Sequence, residues 1–125
     1  MNPDALFFFD GNSAALPLLE TFESLLEQAV GEFSVRIQKT QITYSNRHVF
    51  ACISFLKVRK AKQRPPVYIV VTFGLHRKID SPRIDAAVEA YPGRWTHHVL
   101  IERPEEIDEE LMSWIQEAYA FAAAK

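Results

Sequence analysis

At 125 residues and 14.3 kDa the chain has room for one hydrophobic core, which argues against a second independent domain and for a single domain over residues 1–125. Hydrophobic residues make up 48% of it and charged residues 24%, with only four glycines, which excludes disorder and low-complexity behaviour. The net charge of −2 excludes a surface built throughout for nucleic acid but says nothing of how the charge is distributed.

The single cysteine, Cys52, rules out an internal disulfide and a thiolate zinc cage, so a cytoplasmic protein is the default expectation. The apolar run at 5–9 is flanked by Asp4 and Asp10 and is too short for a signal peptide. No stretch approaches the roughly 20 apolar residues of a membrane span, so no membrane partner is expected.

Along the chain, Ala15, Leu18, Leu19, Phe22, Leu25, Leu26 and Ala29 recur at three- and four-residue spacings and predict an amphipathic helix over 14–30. Asn12 or Ser13 can cap it, Pro17 is tolerated in its first turn, and Gly31 ends it. Next, Phe33, Val35 and Ile37 alternate with polar residues, then Ile42 and Tyr44 do so on the other phase. The slip at Lys39-Thr40 predicts a bulge or tight turn, because a one-residue shift would otherwise turn the strand inside out. A strand is expected over 49–58, with 57–66 as a polar, basic connection. The run 67–73 is apolar on both phases and should lie mid-sheet.

Tyr91-Pro92-Gly93-Arg94 reads as a type II turn joining strands 86–91 and 95–101. A short helix beginning at Ser81-Pro82 competes for the first of these, and the hairpin is preferred. Finally Ile107, Leu111, Trp114, Ile115, Ala118 and Phe121 predict a second amphipathic helix, with Pro104 at its start and a run of acids in its first turns. The sum is an α+β two-layer sandwich: helix, four to five mostly antiparallel strands, helix, with both helices on one sheet face.

Charge is segregated along this plan. Residues 1–33 hold six acids and no Lys or Arg, 34–98 hold twelve basic residues against three acids, and 99–125 hold seven acids against Arg103 and Lys125. The helical layer is thus expected to be acidic and the sheet with its loops basic. Helix dipoles and the protection of strand edges account for such a division without any ligand. The functional alternative is that the sheet face away from the helices, edged by the 57–64 and 74–84 loops, receives an anion. Arg36, Gln38, Gln41 and Thr43, with Tyr68, Thr72, Thr96 and His98, would supply a polar and aromatic surface suited to single-stranded nucleic acid or to a small phosphate or carboxylate.

Specific chemistry is mostly missing. His97 and His98 are adjacent on a strand, so their side chains leave opposite faces and cannot share one metal. One is expected packed or hydrogen-bonded and the other on the polar side. Cys52 reads as a small buried hydrophobe rather than a nucleophile, and Trp95 and Trp114 read as packing residues. No Walker loop, dinucleotide fingerprint, nucleophile elbow or HExxH pattern occurs, so no cofactor, metal or catalytic residue is nominated.

Gln38-Lys39-Thr40-Gln41-Ile42, Asn46-Arg47 with Phe50-Ala51, Ser81-Pro82-Arg83, and above all Pro92-Gly93-Arg94-Trp95-Thr96-His97-His98 resemble a bacterial family catalogued as domain of unknown function 5655. The resemblance covers nearly the whole chain, including Glu109-Glu110-Leu111 and Glu117-Ala118-Tyr119 of the closing helix. It implies a small α+β domain, found alone or attached to others, and carries no activity, cofactor or catalytic residue. It draws attention to polar residues that a core does not demand: Lys39, Gln41, Asn46, Arg47, Arg83, Arg94, Thr96 and His98, expected on or beside the open sheet face.

The leading expectation is therefore a non-enzymatic binding module whose basic face takes an anionic small molecule or nucleic acid. A small enzyme using Arg94, His98 and Lys39 around a phosphorylated or carboxylate substrate is one alternative. An interaction domain pairing through an exposed strand or the aromatic segment 7–9 is another, and monomer and homodimer both stay open.

Overall fold

Six strands form one antiparallel sheet: β1 (Ser34–Ile37), β2 (Gln41–Ser45), β3 (Val49–Ser54), β4 (Ile69–Leu75), β5 (Ala86–Tyr91) and β6 (Arg94–Ile101). They lie in the order β1-β2-β3-β4-β6-β5. The computed structural model describes residues 8, 9 and 11–125, so Phe7 of the aromatic segment falls outside the described residues. Among the described residues no helix is long and apolar enough to cross a membrane.

The sheet exceeds the four to five strands expected because the phase slip at Lys39-Thr40 is a chain reversal. Ile37 pairs directly with Ile42, and the Gln38 N–H donates to the Gln41 carbonyl at 2.9 Å. Partners across an antiparallel pair share a face, so the apolar phase inverts at the turn while the same face stays buried. The strand expected over 49–58 ends at Ser54, and 81–90 contributes strand β5 rather than a helix. Gly93 adopts φ +84°, the conformation its type II turn position requires.

Helix α1 (Leu16–Ala29) follows a 3-10 turn at Ser13–Ala15. Asn12 precedes that turn, and its side chain makes no capping hydrogen bond. Helix α2 (Glu109–Ala123) begins later than Pro104 suggested. Pro104–Glu106 forms its own 3-10 turn, closed by the Glu106 carboxylate accepting from the Glu102 and Arg103 N–H groups. Asp108 then caps α2 by accepting from Leu111 N–H at 3.0 Å.

Both helices pack on the same face of the sheet. Leu18, Leu19, Phe22 and Leu26 of α1 and Leu111, Trp114, Ile115 and Ala118 of α2 join Ile42, Tyr44, Ile53, Ile69, Val71, Phe73, Leu75, Val99 and Ile101 in one core. Strand β4 sits between β3 and β6, inside the sheet as its double apolar phase predicted. Val70 and Leu100 point away from the helices yet are fully buried, and they stand apart from the main cluster. The long 55–68 connection crosses this end of the open face. Arg59 reaches from it to Asp85 at 2.6 Å, and Asp85 in turn accepts from Leu100 N–H at 2.7 Å. The Tyr68 hydroxyl closes the neck of the excursion by donating to the Phe55 carbonyl at 3.0 Å.

Candidate functional site on the open sheet face

Strand register places six side chains in a line across the uncovered face: Arg36, Thr43, Cys52, Thr72, His98 and Ala86, each directly opposite the next. A parallel row holds Gln41, Ser54, Val70 and Leu100 on one side. Gly74, Thr96 and Val88 form the row on the other. Because 55–68 covers only one end of this face, a cavity of about 450 Å³ remains beside it. Cys52, Ser54, Thr72 and His98 make its floor, Lys39, Thr40 and Gln41 overhang from the β1–β2 turn, and Phe8, Phe55 and Leu56 supply an apolar wall. Phe8 and Phe55 stack with centroids 4.9 Å apart. No Asp or Glu lines the cavity among the described residues.

The floor is uncharged. The Thr72 hydroxyl lies 2.8 Å from His98 Nδ1 and fixes the ring. Burial pushes the His98 pKa below its ordinary value, against the opposing pull of the Asp85 charge, so the imidazole is neutral near pH 7. Burial likewise pushes the Cys52 thiol upward, and the charge of Arg94 only partly offsets this. Cys52 is therefore a thiol rather than a thiolate, as expected, but it is half-buried on the open face and not part of the core.

Arg94 approaches the same row from the far end. Its guanidinium lies back across Gly74, where a Cβ would stand 2.5 Å from one terminal nitrogen and 2.8 Å from Nε. Glycine at 74 is what lets the side chain occupy that place. The Arg94 Nε is buried and has no hydrogen-bond partner among the described residues.

The residues singled out by the sequence divide into two groups. Lys39, Gln41 and His98 line the cavity, and Arg94 and Thr96 share its face beside it. Asn46, Arg47 and Arg83 are not brought there. The Asn46 amide donates to the Tyr119 carbonyl at 2.8 Å, and His48 Nδ1 lies 3.0 Å from the Ala122 carbonyl, so the β2–β3 turn closes the C-terminal end of α2. Arg47 stands exposed in that turn. Arg83 is held by Asp108 at 2.8 Å, Glu110 at 3.0 Å and the Glu106 carbonyl at 2.6 Å, and its guanidinium lies 5.8 Å over the Trp114 ring.

In the 74–84 segment the Arg77 and Arg83 side chains turn to the helical layer, while Pro82 lies beside Val58, Arg59, Lys60 and Gln63 of the connection over the open face. Ile79 anchors the segment in the core, and Arg77 forms a two-point pair with Glu117. Arg59, Arg77 and Arg83 are thus matched by carboxylates, while Arg36, Lys39, Arg47 and Arg94 make no ion pair among the described residues.

Cavity residues that the sequence did not nominate are Phe8, Thr40, Ser54, Phe55 and Leu56. Ser54 had a readable signal, since it shares the polar phase of β3 with Cys52. Gly74, inside an otherwise apolar strand, was a mark of close approach by another group. The aromatic wall had none, because it depends on where the 55–68 excursion lands. Among the described residues no group of three or more His, Cys, Asp or Glu is placed to hold a metal.

A family model described as Domain of unknown function (DUF5655) matches residues 7–122, and the chain belongs to that family. No curated protein and no solved structure matches it.

Proposed function

We propose that this member of the family is a binding module for a small anionic ligand, seated in the cavity on the open sheet face. The observation that carries the reading is Arg94, a cation laid flat over Gly74 with a buried Nε that nothing in the described protein satisfies. A buried donor without a partner costs about 1–3 kcal/mol, which an anionic acceptor would recover. A volume near 450 Å³ falls within the range of small-molecule sites, and a mixed lining of aromatic, hydroxyl and cationic groups suits a carboxylate or phosphate on an apolar body. Polynucleotide fits less well, because a concavity closed on one side by 55–68 offers no continuous track for a strand.

Titration with benzoate and with phenyl phosphate, followed by two-dimensional amide NMR, tests this. Shifts should concentrate at Cys52, Thr72, Gly74 and His98, and Arg94→Gln should weaken binding about tenfold or more. Shifts scattered over the helical layer, or no binding by either probe, would remove the proposal. Single-stranded oligonucleotide bound with a steep salt dependence would replace it with the nucleic-acid reading.

A further inference from the structure

Arg94 lies beside the cavity, over Gly74 and not among its lining, and a cation stands at the cavity's opposite end. Lys39 overhangs it from the β1–β2 turn and makes no ion pair among the described residues. Gly74, under the Arg94 guanidinium, and Val70, in the row of Gln41 and Ser54 nearest that turn, stand four residues apart on β4, which is about 13 Å of strand. Between them the floor offers a thiol, a hydroxyl and a neutral imidazole, and the wall offers Phe8, Phe55 and Leu56. A ligand with one negative group would satisfy one end and leave the other cation facing water.

We propose that the ligand of this site carries two anionic groups joined by a largely apolar spacer, one group held by Arg94 and the other by Lys39. The inference rests on the anion-binding reading of the same face and narrows it. Both cationic side chains are long enough to reach toward each other, so the two anions belong on the order of 10 Å apart rather than the full strand distance. Specificity against single-ended acids follows, since a monoanion forgoes one charge-assisted contact while still displacing water from the wall. The absence of a carboxylate among the described lining residues removes the usual source of repulsion against a second negative group.

Calorimetry on the full chain with straight-chain dicarboxylates from succinate to sebacate, beside the monocarboxylates of matching length, reads this directly. Affinity should rise along the dicarboxylate series once both ends can be reached, and the best diacid should bind about tenfold or more above its monoacid. Lys39→Gln, at an exposed turn position, should remove the advantage of the diacid and bring diacid and monoacid level. Equal affinity of the two series, or a diacid advantage that survives Lys39→Gln, overturns the two-ended ligand while the Arg94 site stands. Failure of every acid in both series to bind overturns the site as well.

Discussion

His97 and His98 are neighbours in the chain and inhabit two different solvents. His97 is fully buried on the helix face of β6, stacked on Phe73 at 5.1 Å, and its Nε2 accepts the Ile79 N–H at 3.0 Å. His98 faces the other way, half-buried, with Nδ1 against Thr72 and no second protein partner among the described residues. The helix face is closed by packing, and even there one buried ring nitrogen, His97 Nδ1, has no hydrogen-bond partner among the described residues. The open face holds polar atoms in line and leaves some of them unsatisfied. A sheet with one filled and one unfilled side leaves room for a ligand where packing is incomplete.

Substitutions on the two faces test the contrast. The largest effect is expected at Phe73→Ala, which removes a ring between His97 and Trp114 and should cost about 3–5 kcal/mol in denaturant unfolding. Thr72→Ala, its chain neighbour on the open face, should cost less than about 1.5 kcal/mol. Equal costs would mean that the two faces are not energetically distinct.

Next comes His97→Leu, which leaves the Ile79 N–H without an acceptor and should cost about 1–3 kcal/mol at pH 7.5. The same variant should flatten the acid limb of stability. Burial holds the folded His97 pKa below the ordinary 6.5, so the unfolded chain binds the extra proton more readily. That contribution is complete above about pH 6.5 and drains as the pH falls toward the folded value. Stability measured from pH 7.5 to 5 would show the change in slope.

Gly74→Ala should cost no more than about 1 kcal/mol, because the group it displaces is the mobile end of Arg94 and not backbone. It should nonetheless lower anion affinity as Arg94→Gln does. Unaltered binding by a folded Gly74→Ala protein would show that the guanidinium's resting place is unrelated to the ligand.

The smallest effect belongs to Glu23, the carboxylate drawn toward the helix face, where Tyr44 donates to it at 2.8 Å. Burial raises its pKa, so the folded state favours the proton and stability drains as pH rises above the ordinary value of 4.5. Glu23→Gln should raise the melting temperature at pH 7, by the equivalent of about 1 kcal/mol or less, and leave it unchanged at pH 3.

Much of the fold was legible because it is periodic. The two helices, the reversal at Lys39-Thr40, the Pro92-Gly93 turn and the opposite fates of His97 and His98 all follow from side-chain period and turn chemistry. The start of α2 was misread because Pro104 is an equally good opening for a 3-10 turn, and only the reach of Glu106 back to Glu102 and Arg103 decides between them. The lining of the candidate cavity is half legible for the same reason. Lys39, Gln41 and His98 sit on strands or their turns, where register places them. Asn46 and Arg83 lie away from the open face, since their side chains follow loops that bind the carbonyl end and the acidic start of α2. Loop destinations are set by long-range partners that local pattern does not contain.

Helix α2 packs on β3 and β4, yet it follows β1–β6 in the chain. Until that helix docks, the parts of β3 and β4 it packs on lack its cover. An interval of that kind leaves apolar β surface exposed, the condition under which folding intermediates associate.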